Sequence, residues 1–298
     1  MPRSPKPGFA RAILAPWAGA LLLSSCAAPP AFFDAHVHLN DLPMQLALMD
    51  EHGVDRAVVF WGRRSGNDAV LEAVARHPSR LVAFASVSPE RRTWRALWER
   101  DDPRLLAELD ALLATGRFRG IGEISVVHEA AAGFPATDFS PVSHSMRGIM
   151  ALARKYRLPV MVHCEAARGA ELSRLLEDFA DVPVIWAHGG YSGVEAARNM
   201  LARHPNLHYE LSARTWPRHP RSPAYSIMGA GGEVLAPWLA LIEEMPGRFL
   251  VGTDASHHSA AAERMKHRSV RDFLDRLSPA ARREVSRGVI ARLVGQAP

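Results

Sequence analysis

Short apolar runs alternate with longer segments of helical periodicity along most of the chain. The runs are rich in β-branched and aromatic residues and are nearly continuous, which is typical of parallel strands covered on both faces. Eight such runs occur, at residues 31–39, 56–61, 80–87, 118–125, 158–165, 182–190, 207–213 and 248–256. The pattern therefore predicts eight parallel strands, most of them followed by a helix.

Helical patterns fill the intervals between these runs, for example at residues 42–53, 145–157, 192–205 and 278–295. Gly53 is a candidate for the left-handed residue that ends the first helix. Ser192 with Glu195 has the spacing of a capping box, and Ser278 with Pro279 predicts the start of the last helix.

Eight β/α units in roughly 265 residues match the size of a (β/α)8 TIM barrel. We therefore predict an α/β fold, a single barrel domain over residues 32–298. A doubly wound open sheet is the alternative. No glycine-rich phosphate turn follows the first strand, which argues against the dinucleotide-binding version of that sheet.

The segment before the first strand has the pattern of a targeting signal. Basic residues precede an apolar stretch of twelve residues at 12–23, which is too short to span a membrane comfortably. The sequence "LSSC" that ends at Cys26 resembles a bacterial lipobox. We predict a lipoprotein signal peptide at 1–25, lipidation of Cys26 and a tether at 26–31; an ordinary secretory signal is the alternative.

This prediction places the protein in the cell envelope, anchored by lipid alone. Ala27, rather than an aspartate, after the cysteine favours the outer membrane, with the domain facing the periplasm. Cys26 and Cys164 are the two cysteines of the chain, so lipidation of the first excludes an intramolecular disulfide.

The charge of the chain does not indicate a nucleic-acid partner. The formal net charge is +5, but Arg3, Lys6 and Arg11 lie in the targeting segment, and removing them leaves +2 on the remainder. A nearly neutral body gives no electrostatic reason to bind nucleic acid. The hydrophobic content of 48% and charged content of 22% are those of an ordinary folded domain.

Polar side chains that can bind metal stand at or near the ends of five predicted strands. They are His36, His38, Glu123, His163, His188 and Asp254. In a barrel, the carboxyl ends of the strands meet at one mouth, so these side chains are expected to converge there. Four imidazoles and two carboxylates suit a divalent metal, with zinc first and manganese, iron or cobalt as alternatives.

A single histidine at a strand end is more often a packed residue than a ligand. Six polar groups inside apolar runs are different, because burying them without a shared partner would be costly. We therefore interpret the set as a metal site.

The motifs "DAHVHL", "GIGE", "PVMVHCE", "AHGG" and "GTDAS" occur in this order. In order and spacing they resemble the amidohydrolase superfamily, in particular its amidohydrolase-related (amidohydrolase-2) branch, over residues 32–297. The resemblance implies a (β/α)8 barrel with one or two divalent metals. It assigns His36, His38 and Asp254 to one metal and His163 and His188 to a second, with Glu123 as a bridge between them.

The resemblance further implies a metal-dependent hydrolase that uses activated water on an ester, lactone or amide. Asp254 would be both a metal ligand and the catalytic acid/base. A metal-dependent decarboxylase of the same superfamily is the nearest alternative, and a non-catalytic metal-containing binding lipoprotein is a third. The expected partner is a small-molecule substrate.

Two long connections follow strand ends, at residues 125–143 and 214–233. Long loops in compact domains are often functional. Arg214 begins the second connection and is predicted to face the mouth, where a guanidinium would bind an anionic substrate group. A solvated lid arginine is the alternative. Cys164 alternates away from His163 and is expected to pack as a small apolar residue.

Overall fold

Eight parallel strands form a closed ring in the computed structural model, which describes residues 1–2, 31–63, 65–129, 136–217 and 225–295. With one added antiparallel strand, β5, they are β1 Phe32–Leu39, β2 Val54–Trp61, β3 Leu81–Ala83, β4 Ile121–His128, β5 Thr137–Asp138, β6 Val160–Cys164, β7 Val184–Trp186, β8 Leu207–Glu210 and β9 Phe249–Leu250. The predicted signal peptide, apart from residues 1–2, and Cys26 lie outside the described residues.

The strands belong to two sheets, ordered β1-β2-β3 and β5-β4-β6-β7-β8-β9. Single parallel bridges join the sheets at Ala85 with Ile121 and at Val37 with Ala255. Backbone hydrogen bonds hold both seams, from Gly122 N to Ala85 O at 2.8 Å and from His38 N to Ala255 O at 2.8 Å. The predicted (β/α)8 barrel is therefore confirmed.

Helices connect the strands and surround the ring. Their bounds are α1 Leu42–His52, α2 Asn67–Arg76, α3 Arg92–Glu99, α4 Arg104–Ala114, α5 His144–Tyr156, α6 Gly169–Asp178, α7 Val194–Arg203, α8 Ala236–Glu244, α9 Ala260–Leu274, α10 Pro279–Arg283 and α11 Val289–Leu293. Short 3-10 segments occur at Ala166–Arg168, Ala187–Tyr191 and Pro246–Arg248, and a π-helical turn at Glu284–Gly288 joins the last two helices. No helix of the described ranges is long and apolar enough to span a membrane.

The helix ends follow the predicted chemistry at two of three positions. Gly53 ends α1 in the left-handed region, with φ of 62°, and the Ser278 hydroxyl accepts from a backbone N–H at the start of α10. The capping box at Ser192 is wrong. Gly193 is the N-cap of α7, and the Ser192 hydroxyl instead contacts the hydroxyl of Tyr209 at 3.2 Å.

Two apolar clusters form the core. The larger cluster lies between the ring and the helices. The smaller cluster draws alternate residues from strands around the ring, and its members include Phe33, Phe60, Phe84, Met161, Ile185 and Leu250. These residues fill the inside of the barrel and leave the polar strand ends above them.

Candidate metal centre

The six polar residues predicted from the strand ends meet at one mouth of the barrel. His36 and His38 come from β1, Glu123 from β4 and His163 from β6, whereas His188 and Asp254 lie in the turns after β7 and β9. The pairing of β1 with β2 is irregular between Asp34 and Val37, a stretch that includes His36.

Glu123 is at the centre of the group. Its Oε2 atom lies 3.5 Å from Nε2 of His36 and 3.2 Å from Nε2 of His38. Its Oε1 atom lies 3.1 Å from Nδ1 of His163 and 3.6 Å from Nε2 of His188. Each oxygen of this one carboxylate therefore faces its own pair of imidazoles.

Asp254 completes the half of the site that contains His36 and His38. Its Oδ1 atom lies 3.6 Å from Nε2 of His36 and 3.4 Å from Nε2 of His38. The Asp254 side chain keeps 24% of its surface exposed, against 4% for Glu123. Lys266 donates to the backbone carbonyl of Asp254 at 2.6 Å and so holds this residue at its unusual φ of 49°.

In both β1 histidines, Nδ1 lies within hydrogen-bond distance of an oxygen atom. Nδ1 of His36 lies 3.3 Å from the Glu210 carboxylate, and Nδ1 of His38 lies 3.2 Å from the carbonyl of Trp61. Carboxylates and carbonyls only accept, so each Nδ1 carries the hydrogen of the neutral ring. Nε2 is then left with a lone pair directed at the mouth.

His188 has the same arrangement on the other half of the site. Its Nδ1 atom lies 3.1 Å from the carbonyl of Ser212, which leaves Nε2 as the lone pair that faces Glu123. Three lone pairs thus point at carboxylate oxygens. Two acceptors at such distances repel each other unless a positive charge lies between them, and that charge is either a proton or a metal ion.

The pKa values reflect this opposition of charges. Burial lowers the pKa of His36, but the nearby carboxylates of Glu123 and Glu210 outweigh it, so the pKa is raised well above its usual value. Burial raises the pKa of Glu123, but the surrounding imidazoles outweigh it and hold that pKa well below its usual value. The site therefore favours carboxylates in the charged form and attracts cations.

The donor set fits divalent metal ions. Ligand atoms within 4.8 Å of one another occur in His36, His38 and Glu123, and again in Glu123, His163 and His188. Among the described residues, Nε2 of His36 is buried and has no hydrogen-bond partner. A buried lone pair without a donor, beside carboxylates, is the environment of a metal ligand.

The sequence profile of the amidohydrolase family matches residues 33–296, which is nearly the whole barrel. The chain belongs to the amidohydrolase family. This confirms the resemblance found in the strand-end motifs. No curated protein matches the chain.

Solved structures similar to this amidohydrolase share its fold. An uncharacterized TIM-barrel protein from Bordetella bronchiseptica is 15% identical, with a TM-score of 0.65 and coverage of 89% of this chain and 99% of that one. A probable 2-pyrone-4,6-dicarboxylic acid hydrolase from Acinetobacter baumannii, with citric acid bound, is 14% identical, with a TM-score of 0.61 and the same coverage. A 2,6-dihydroxybenzoate decarboxylase from Rhizobium is 16% identical, with a TM-score of 0.58 and again the same coverage.

Arg214 does not have the position predicted for it. The side chain is buried, with 2% of its surface exposed, and does not face the mouth. Its guanidinium donates to the carbonyls of His188 at 3.0 Å, Ser192 at 2.8 Å and Tyr225 at 2.6 Å, and also to the hydroxyl of Tyr209. These four hydrogen bonds direct the guanidinium into the protein, so in this amidohydrolase Arg214 holds the turn after β7 and does not reach the mouth.

Glu210 is the residue of this site that the sequence reasoning missed. It ends β8, has no exposed surface, and contacts His36 through the ring and His188 through the backbone. A signal was present in the sequence, because a glutamate interrupts the apolar run 207–213 at the same strand edge as the other ligand candidates. Tyr191 was also missed; its ring stacks on that of His188, with centroids 5.2 Å apart.

Cys164 has the environment expected for a packed thiol. It is fully buried in the larger apolar cluster, and burial raises its pKa to about 12. The thiolate is therefore absent at neutral pH, and a cysteine nucleophile is excluded at this position.

Proposed function

We propose that the protein is a metal-dependent hydrolase that cleaves a C–O or C–N bond of a small ester, lactone or amide. The observation that carries the proposal is the set of imidazole lone pairs directed at the carboxylates of Glu123 and Asp254, at 3.2–3.6 Å. Such a set is stable in its neutral-ring form when metal ions occupy the space between the atoms.

The residues divide into two groups of ligands. His36, His38 and Asp254 would hold one metal. The two histidines approach Oε2 of Glu123, and Asp254 approaches His38. The other group is His163 and His188, which approach Oε1 of Glu123. Glu123 would then bridge the two positions. Zinc is the first choice for this donor set, and manganese, iron and cobalt also accept it.

A divalent metal, when bound, lowers the pKa of water to about 7 and polarises a substrate carbonyl. The protein's part in the reaction is to orient and to move protons. Asp254 is the candidate acid/base, because its carboxylate is at the mouth and remains partly exposed. It would accept a proton from the attacking water and donate it to the leaving oxygen or nitrogen.

Substrate would approach from the side of His38 and Asp254, the two candidate ligands with substantial exposed surface at 20% and 24%. Trp61, Arg63 and Glu90 line this opening. Arg63 is exposed there, and its guanidinium would attract an anionic substrate group in the role first expected of Arg214.

The nearest competing function is decarboxylation, which the structurally similar protein from Rhizobium performs by its name. The two reactions differ in product. A panel of lactones, aryl esters, amides and aromatic carboxylates, offered to zinc- or manganese-loaded protein, separates them by assay of acid release and of CO₂.

We expect acid release from an ester, lactone or amide, and its loss in Asp254→Asn. CO₂ release from a carboxylate without hydrolysis of any other substrate would replace the proposal with the decarboxylase. The absence of turnover on the whole panel by metal-loaded protein would favour the non-catalytic binding protein.

A further inference from the structure

A single buried carboxylate connects candidate ligands from two separate strands. Oε2 of Glu210 lies 3.3 Å from Nδ1 of His36 and 3.1 Å from the backbone N of His188. We propose that Glu210 is a positioning residue that fixes the ring tautomer of His36 directly and orients His188 through its backbone N–H and through Ser212, so that both metal positions depend on it. The inference rests on the proposed function, in which His36 and His188 serve different metals.

The surroundings of Glu210 require an acceptor. Besides the two histidine groups, the backbone N of Ser212 donates to Oε1 at 2.6 Å and the Ser212 hydroxyl donates to Oε2 at 2.8 Å. Both oxygens therefore face N–H or O–H groups. An ionised carboxylate satisfies all of them, whereas a glutamine of the same shape would turn its NH₂ group against a donor.

Ser212 extends the connection from Glu210 to the second histidine ring. Its hydroxyl oxygen lies 2.9 Å from Nδ1 of His188 and donates to Glu210. A continuous chain of hydrogen bonds thus runs from His188 through Ser212 and Glu210 to His36. Bonds in such a chain polarise one another, and both rings are left with Nε2 as the lone pair toward Glu123.

The backbone at Gly252 packs closely against Glu210. A side chain at Gly252 would place its Cβ atom 2.6 Å from Oε1 of Glu210 and 2.6 Å from Cβ of His36, so only glycine allows this approach. This close packing and the four hydrogen bonds to the carboxylate orient Glu210 through groups of the protein alone.

The test is a Co²⁺ titration of the purified full-length protein, read by visible absorption and by metal content. The variants are Glu210→Gln and Glu210→Asp. The control is Glu171→Gln, which removes a carboxylate of helix α6 that accepts hydrogen bonds from Ser140 and Arg168. We expect Glu210→Gln to weaken Co²⁺ binding at both positions by about 10- to 100-fold and to change the absorption bands of Co²⁺. Glu210→Asp keeps the acceptor and should recover part of the affinity, and the control should bind as the wild type does.

Wild-type Co²⁺ affinity and absorption in Glu210→Gln would overturn the proposal. Weaker Co²⁺ binding at one position alone would overturn the claim that both positions depend on Glu210. Should Glu210→Gln fail to fold, Glu210→Asp decides, because its shorter side chain withdraws the carboxylate from Nδ1 of His36 and from the backbone N of His188. Wild-type Co²⁺ affinity and absorption in Glu210→Asp would then contradict the inference. If the wild type takes up no Co²⁺, the proposed function fails, and the inference is judged on metal-free protein by ¹⁵N NMR of the histidine rings. The inference is supported if the wild type has the Nδ1–H tautomer of His36 and this tautomer changes in Glu210→Gln, or in Glu210→Asp where the glutamine variant does not fold. Identical tautomers in wild type and variant would overturn the inference.

Discussion

At the scale of single residues, Asp254 is the side chain whose replacement should most directly reduce turnover. Asp254→Asn preserves the shape of the side chain but cannot accept a proton. We expect turnover of a substrate found in the panel to fall by about 10²- to 10⁴-fold. Asp101→Asn is a matched control, since Asp101 also has a positive φ, of 46°, but bonds Ser145 away from the site. Equal turnover in wild type and Asp254→Asn would assign the acid/base role to another group.

His267 gives the barrel a pH dependence that is independent of the site. The ring is fully buried in α9, Nδ1 donates to the carbonyl of Glu263 at 2.8 Å, and burial lowers the pKa to about 4. The unfolded histidine titrates near pH 6.5, so on acidification the unfolded chain takes up the proton first. Stability is therefore lost as the pH falls from about 6.5 to about 4 and levels off below.

Denaturant unfolding of metal-free protein between pH 7 and pH 4 measures this effect. His267→Asn keeps a donor to the helix carbonyl but does not titrate in this range. We expect the free energy of unfolding to fall less steeply with decreasing pH in the variant than in the wild type. The two slopes should differ by up to about 1.4 kcal/mol per pH unit. Parallel curves for wild type and variant would show that His267 takes no part.

At the residue scale, the sequence was informative where chemistry and strand position coincide. The convergence of the six candidate ligands follows from polar residues at the ends of apolar runs, because parallel strands in a barrel end at one face. Arg214 could not be placed, because β8 ends at Glu210 and the backbone then turns and directs the guanidinium into the protein. That reversal depends on tertiary contacts that have no local signal.

Among the elements, the turn after β7 depends most on contacts from elsewhere in the chain. His188, Gly189 and Gly190 have φ values of 54°, 53° and 56°, a succession that is costly for a histidine. Arg214 holds both ends of this turn through the carbonyls of His188 and Ser192. The turn is thus a strained element that a buried guanidinium stabilises.

Arg214→Ala should therefore destabilise the fold and not change substrate selectivity. Removing the guanidinium leaves several buried oxygens without a donor, and we expect a loss of about 3 kcal/mol or more in the free energy of unfolding. Arg203→Ala, at a side chain with 67% of its surface exposed, is the control and should change stability by less than about 0.5 kcal/mol. A stable Arg214→Ala variant that loses only anionic substrates would restore the role first predicted.

The strands were predictable as elements because buried parallel strands need nearly continuous apolar residues. The residues at which the strands begin and end were less predictable. The run at 248–256 gives only Phe249–Leu250 as β9, because Val251 bonds to Val285 and Ala255 pairs with Val37 of β1. The two-residue strand β5 was missed, since its pairing with β4 depends on how the long connection returns.

At the scale of the whole molecule, we propose that the barrel is held at a membrane surface through lipid on Cys26. A cysteine that carries several acyl chains gives stable membrane anchoring, whereas a single acyl chain binds the membrane weakly. Cys26→Ser should move the protein from the membrane fraction to the soluble fraction and leave the melting temperature of the barrel unchanged. Equal membrane retention of both forms, with the unprocessed mass in both, would rule out lipidation.

The metal content of the purified protein tests the central claim most directly. Elemental analysis after loading with zinc or manganese and removal of the excess should give about two ions per wild-type chain, because Glu123 faces a separate pair of imidazoles with each oxygen. Glu123→Ala should hold about one ion, and His36→Ala should bind much more weakly. Wild-type protein that holds no divalent metal after loading, and whose melting temperature zinc and manganese do not raise, would contradict the account.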